Sequence, residues 1–173
     1  MDDMTPVSNK LAALAQAIVD AADDATEDLS PSAAAALMSL KARGPQSVGT
    51  VAQLVGLTHS AAVRLVDRLE KDWLVRRQRR GGREVMVELT SRGKRRASTL
   101  QEKRIIAAEG FVKDLNPSEI GALDLLLHRL LDAVVEDGGD IGRLCRMCDT
   151  GTCDCHHLHP TTTEEERIAA AGE

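Results

Sequence analysis

The chain has 173 residues, a net charge of -5, and only two aromatic side chains, one Trp and one Phe. Two rings cannot stack a run of bases, which excludes single-strand binders and RNA-binding sheets, and few β-branched residues outside one short stretch disfavours an all-β sandwich or barrel. The charge is unevenly spread: residues 41–104 carry 16 basic and 6 acidic side chains, a net +10, and the remainder is -15, the footprint of a basic surface for duplex DNA on an acidic scaffold.

The start, Met1-Asp2-Asp3, has neither a basic leader nor an apolar signal core, and no stretch reads as a membrane span. A cytoplasmic protein is expected. From Asn9 to Leu29, apolar groups at Leu11, Leu14, Ala15, Ile18, Ala22 and Ala25 fall on one helical face. Asp28-Leu29-Ser30-Pro31 breaks this helix and starts a second, capped by Ser30 and running to Ala42 before Arg43-Gly44-Pro45. A short third helix from Ser47 carries Val51, Leu54 and Val55 and stops at Gly56.

Thr58 then caps a fourth helix, with Ala62, Leu65, Val66, Leu69 and Trp73 at steps of three and four. Trp73 reads as core packing at its end. The opposite face shows Ser60, Arg64, Asp67, Arg68 and Lys71. Two helices joined at Val55-Gly56-Leu57-Thr58, the second basic on its outer face, predict a helix-turn-helix whose second helix fits a major groove. Beyond Trp73 the period shortens to two: residues 74–80 and 83–89 flank Gly81-Gly82, a β-hairpin projecting Arg79, Arg80 and Arg83. A hairpin behind a recognition helix is a wing, and its arginines can meet phosphates or a minor groove.

Thr90-Ser91 caps a long fifth helix to Leu115, basic first and apolar later. After Asn116-Pro117, Ser118-Glu119 opens a sixth to about Glu136, with Ile120, Leu123, Leu127, Leu130, Leu131 and Val134 in one stripe and Leu125 and Leu126 beyond it. More apolar surface than one stripe needs a second partner, and a second copy of the chain supplies one. The fold class is therefore mainly α with a small β-hairpin wing, a winged helix-turn-helix with long terminal helices.

Residues 55–70, followed by Leu74-Val75-Arg76-Arg77 and Val87-Glu88-Leu89-Thr90-Ser91-Arg92-Gly93, resemble the MarR family of bacterial winged-helix regulators over roughly residues 10–137. The resemblance implies a homodimer built by the first and last helices, each subunit offering one winged helix to half of a pseudo-palindromic operator. It implies repression, relieved by a small molecule, metal or oxidant. It places Thr58, His59, Ser60, Val63 and Arg64 at bases and phosphates and Arg83 at the wing arginine. The tip, Arg79-Arg80-Gly81-Gly82-Arg83-Glu84, is shorter than the family's acidic and arginine-rich one, so phosphate contact by Arg83 stands beside minor-groove insertion. His59 has no second ligand at i+3 or i+4 and reads as DNA-facing; His128 reads as a hydrogen-bonded interface residue.

All four cysteines, Cys145, Cys148, Cys153 and Cys155, lie with His156, His157 and His159 inside 15 residues. In a reducing compartment such clustering points to metal or redox chemistry rather than structural disulfides. Zinc, an iron-sulfur cluster and a reversible thiol switch all fit, and so does an inert tail. The sixth helix, leading straight into the cluster, is the expected link to DNA binding. The divisions expected are a dimerisation helix at 1–30, the winged helix at 31–92, dimerisation helices at 93–137, the Cys/His cluster at 138–160 and a disordered acidic tail at 161–173. The competing readings are a metal- or thiol-buffering protein with a vestigial winged helix and an accessory domain of an enzyme. No glycine-rich cofactor loop, nucleophile-base pair or second α/β region supports the latter.

Overall fold

Helix α2 (Pro31–Arg43) is the centre about which the other elements pack: every residue from Ala33 to Leu40 is buried. Its run of four alanines lets neighbours approach from all sides, and Ser30 caps it by accepting from the Ala33 N–H at 3.3 Å. A computed structural model describes residues 4–24, 26, 29–79, 85–149 and 153. Around α2 lie α3 (Val48–Val55), α4 (His59–Lys71), α5 (Ser91–Val112) and a sheet of β1 (Gln46–Ser47), β2 (Val75–Arg79) and β3 (Val85–Leu89). The core joins Leu37, Met38, Val51, Val66, Leu69, Val75, Val87 and Leu100, each at most 2% exposed. Full burial of such a side chain is worth about 1.5–3 kcal/mol.

The sheet is antiparallel in the order β1-β3-β2. Val75 faces Leu89 and Arg77 faces Val87, while Gln46 and Ser47 pair with Val87 and Met86. The hairpin is therefore the larger part of a three-stranded sheet. Its tip, with Arg80, Gly81, Gly82, Arg83 and Glu84, lies outside the described residues.

Helix α5 enters this core at Gly93, where a Cβ would run into the carbonyl oxygen of Leu74. That oxygen also accepts the Thr90 N–H at 3.1 Å, and the Thr90 hydroxyl caps α5 through the Gly93 N–H. Glycine here is a matter of close approach.

Helix α1 (Thr5–Asp24) begins and ends earlier than periodicity predicts. Pro6 suits a first turn, and the buried Thr26 hydroxyl takes over after Asp24, donating to the carbonyls of Asp23 and Leu29. Helix α6 (Pro117–Glu136) starts in a capping box of Asn116 and Glu119. Neither α1 nor α6 contains a buried residue. Helix α1 lies along α5, whereas α6 hardly touches any other described element. A short α7 (Ile141–Leu144), not anticipated from the sequence, follows a cap by Asp140.

Candidate nucleic-acid interface and cysteine segment

Helix α4 buries Ala62, Leu65, Val66 and Leu69 and turns its other side outward. Thr58 is its N-cap, accepting from the Ala61 N–H at 3.3 Å, and stays exposed. His59, Ser60, Arg64 and Arg68 are exposed on this helix; Val63 is half-buried. Gly56 ends α3 in the left-handed region at φ 71°, which sets the turn between the two helices. The result is a rigid helix whose first turns are polar and basic and whose back is fixed in a core.

Two wing arginines are committed within the protein. Arg77 pairs with Asp67 of α4 at 2.6 Å and with Glu70, whose other oxygen accepts the Arg77 backbone N–H at 2.9 Å. Burial opposes the Arg77 charge, but these carboxylates outweigh it and hold its pKa above the ordinary value. Strand β2 is thereby tied to the outward face of α4. Arg76 pairs across the strands with Glu88, its register partner. Arg64, Arg68, Lys71 and Arg79 remain on the exposed surface, joined by Arg92, Lys94 and Arg95 in the first turns of α5. The basic start of α5 belongs to the cationic stretch 41–104, although none of its residues stands among the individual contacts expected from the sequence. Arg80 and Arg83 fall outside the described residues.

Trp73 corrects an expectation. It is 74% exposed rather than packed in the core. It occupies the left-handed region at φ 59° directly after α4, where the Leu74 N–H bonds back to the Leu69 carbonyl at 2.9 Å. The chain reverses there, so Leu74 and Val75 enter the core and the indole points outward. With Lys71, Arg92, Arg95 and Arg96 it lines an open groove of about 830 Å³.

The cysteine segment does not trail from α6. Residues 141–149 turn back onto the winged helix. The Ser39 hydroxyl of α2 donates to the Arg146 carbonyl at 2.9 Å, and Arg104 Nη1 of α5 donates to the Met147 carbonyl at 2.9 Å. Met147 packs against the core, Leu54 lies against Gly142, and the Arg143 guanidinium covers Gly56 at the turn before α4. Cys145 is buried, Cys148 and Cys153 are half-buried, and Cys155 lies outside the described residues with His156, His157 and His159.

The Cys148 N–H bonds to the Cys145 carbonyl at 3.2 Å, and the sulfurs of Cys145, Cys148 and Cys153 act on one another electrostatically. Burial first, then the neighbouring sulfurs, pushes the Cys145 thiol up to about 11. Burial and Cys153 likewise raise Cys148, with Arg104 pulling the other way. Thiols held protonated at neutral pH are poor nucleophiles toward peroxide. Arg104 is itself lowered by burial, and its buried Nε has no hydrogen-bond partner among the described residues. Among those residues no three His, Cys, Asp or Glu side chains already stand as a metal-ligand set. His128 bonds through Nδ1 to the Asp124 carbonyl at 3.0 Å within its own helix.

No described helix is long and apolar enough to cross a membrane. Residues 27–84 match the model of the MarR family. Among solved structures, RV1404 from Mycobacterium tuberculosis is 26% identical with a TM-score of 0.67, covering 81% of this chain and 97% of that one. A MarR family protein from Bacillus stearothermophilus is 24% identical with a TM-score of 0.71, covering 78% and 99%. MepR, a transcription regulator of the Staphylococcus aureus multidrug efflux pump MepA, is 18% identical with a TM-score of 0.66, covering 73% and 97%. No curated protein matches the chain.

Proposed function

We propose that this chain, which has the winged-helix fold of MarR-family regulators rather than an enzyme's, is a transcriptional repressor that binds a pseudo-palindromic duplex as a homodimer. The observation that carries the reading is α4: a helix anchored by four buried apolar residues that exposes Thr58, His59, Ser60, Arg64 and Arg68 beside a strand pair ending at Arg79. The first turns of α4 read base edges in the major groove, and Arg79, Arg80 and Arg83 hold phosphates or a minor groove. Lys71, Arg92 and Arg95 extend the cationic surface along the duplex, so binding weakens steeply with salt.

The second copy is called for by the exposed apolar face of α6, including Leu125 at 68%, Leu126 at 53% and Leu130 at 48% exposure, and by Val7, Leu11 and Leu14 of α1. Buried against a partner chain, these side chains complete a core that one subunit lacks. In this reading DNA binding is set by an effector, a metal or cluster bound as thiolates by cysteines among Cys145, Cys148, Cys153 and Cys155, whose close spacing in the sequence supports it. The groove beside Trp73, with its indole and cationic rim, is suited to a small aromatic anion as a second effector.

The test is a duplex selected from random sequence by the wild-type protein. Arg64→Ala is expected to weaken binding to it by about 1–3 kcal/mol while circular dichroism stays unchanged. Equal affinity of the folded variant would remove α4 from the interface. Failure of the wild type to select any sequence would leave the thiol-buffering reading in its place.

A further inference from the structure

The two residues between Cys145 and Cys148, Arg146 and Met147, are those whose carbonyls are held by Ser39 of α2 and Arg104 of α5. Any change in the spacing of the two sulfurs therefore acts on the peptide that anchors the segment to two helices of the DNA-binding lobe. One turn earlier, α7 lays Gly142 on Leu54 and Arg143 over Gly56, the residue that sets the angle between α3 and α4. We propose that Cys145, Cys148 and Cys153 take up a thiophilic metal centre as thiolates, and that its closure acts as a clamp, fixing α3 and the α3–α4 turn through the Arg146 and Met147 carbonyls. This rests on the reading of the chain as a regulator controlled at its cysteines, and adds the route by which control reaches α4.

Two features support a metal centre over a disulfide. The Cys145-x-x-Cys148 spacing in a tight turn, with the Cys148 N–H bonded to the Cys145 carbonyl at 3.2 Å, is a ligand pair to which Cys153 adds a third sulfur. Among the described residues the three sulfurs do not stand gathered as a ligand set; in this proposal metal uptake draws them together, and that movement is what the clamp transmits. Arg104 supplies the second feature: it donates through Nη1 to the Met147 carbonyl, one residue before Cys148, and its buried Nε has no partner among the described residues. A metal-bound thiolate keeps enough negative charge to accept that N–H, whereas a disulfide is neutral and would leave it unsatisfied. On binding, each thiol releases its proton to solvent as the sulfur–metal bond forms, and no oxidant is consumed. The site thus lies on the winged helix itself, so the route to DNA does not pass through α6.

The full chain is purified without oxygen, its zinc, iron and sulfide are measured, and the stripped protein is titrated with Co²⁺ under reducing conditions. The expected result is one thiolate-bound centre per chain, either zinc or iron with sulfide in the isolated protein, and a sulfur-to-cobalt absorption band on titration. Cys148→Ser and Cys153→Ser are expected to abolish the band; Cys145 is buried, so Cys145→Ser is read only if circular dichroism is unchanged. Arg104→Lys is expected to weaken Co²⁺ binding about tenfold, as loss of an outer-shell partner does. Hydrogen exchange of residues 48–56 and 141–149 is expected to slow on loading. Absence of any thiolate-bound metal, or isolation as a Cys145–Cys148 disulfide that resists Co²⁺ after reduction, overturns the site. Metal binding with unchanged exchange at 48–56 overturns the clamp. These readouts need no DNA, so a failure of operator binding alone counts against the proposed function and leaves the clamp standing.

Discussion

The winged helix and the two long helices α1 and α6 differ in where they find their stability. The first closes on itself: α2 is buried along eight consecutive residues, and α3, α4, α5 and the sheet each contribute to one core. The second pair buries no residue at all, although α6 exposes Ile120, Leu125, Leu126, Leu127, Leu130 and Val134. A helix of 20 residues that stands off its own chain gains little from propensity alone. The lesson is that one chain contains a complete winged-helix core and two long helices whose apolar faces it leaves uncovered.

The contrast can be broken from either side. The largest effect is expected from Leu127→Glu combined with Leu130→Glu, which places two carboxylates on the α6 stripe. Sedimentation should show a monomer, with dimer dissociation favoured by at least about 4 kcal/mol, because charges buried without partners are costly. A variant that remains dimeric would move the interface elsewhere. Next comes Gly93→Ala, which leaves α6 untouched and drives a methyl into the Leu74 carbonyl. A loss of about 3 kcal/mol in a urea melt is expected, and a loss under 1 kcal/mol would show that α5 can shift away from β2. The smallest effect has the opposite sign. Trp73 holds a left-handed backbone that glycine adopts without strain, so Trp73→Gly should stabilise the lobe by about 0.5–1 kcal/mol. Destabilisation would mean that the exposed indole packs on the groove more than its exposure suggests.

Much of this was legible before any coordinates. Caps at Ser30, Thr58 and Thr90 depend on a side chain and an N–H three residues on, and local chemistry of that kind is written in order along the chain. The surplus of apolar residues on α6 was equally plain. What escaped was decided by distant partners. Gln46-Ser47 has no strand pattern of its own and is a strand only because β3 runs alongside. Arg77 reads as one more wing cation until β2 comes to rest beside Asp67 and Glu70. Trp73 fits the apolar period of α4, but the turn it occupies sends Leu74 inward in its place. The return of the cysteine segment depends on Ser39 meeting Arg146, 107 residues further along, which no local signal announces.

The left-handed turn after α4 has an optical consequence. It leaves the chain's single indole out in solvent, between the end of α4 and the basic start of α5, with no tyrosine elsewhere to add emission. Fluorescence excited at the red edge of protein absorption therefore comes from one place per subunit. A duplex lying along that surface, or an anion entering the groove, changes the polarity and quenching around Trp73, and either titration can be followed without attaching a dye.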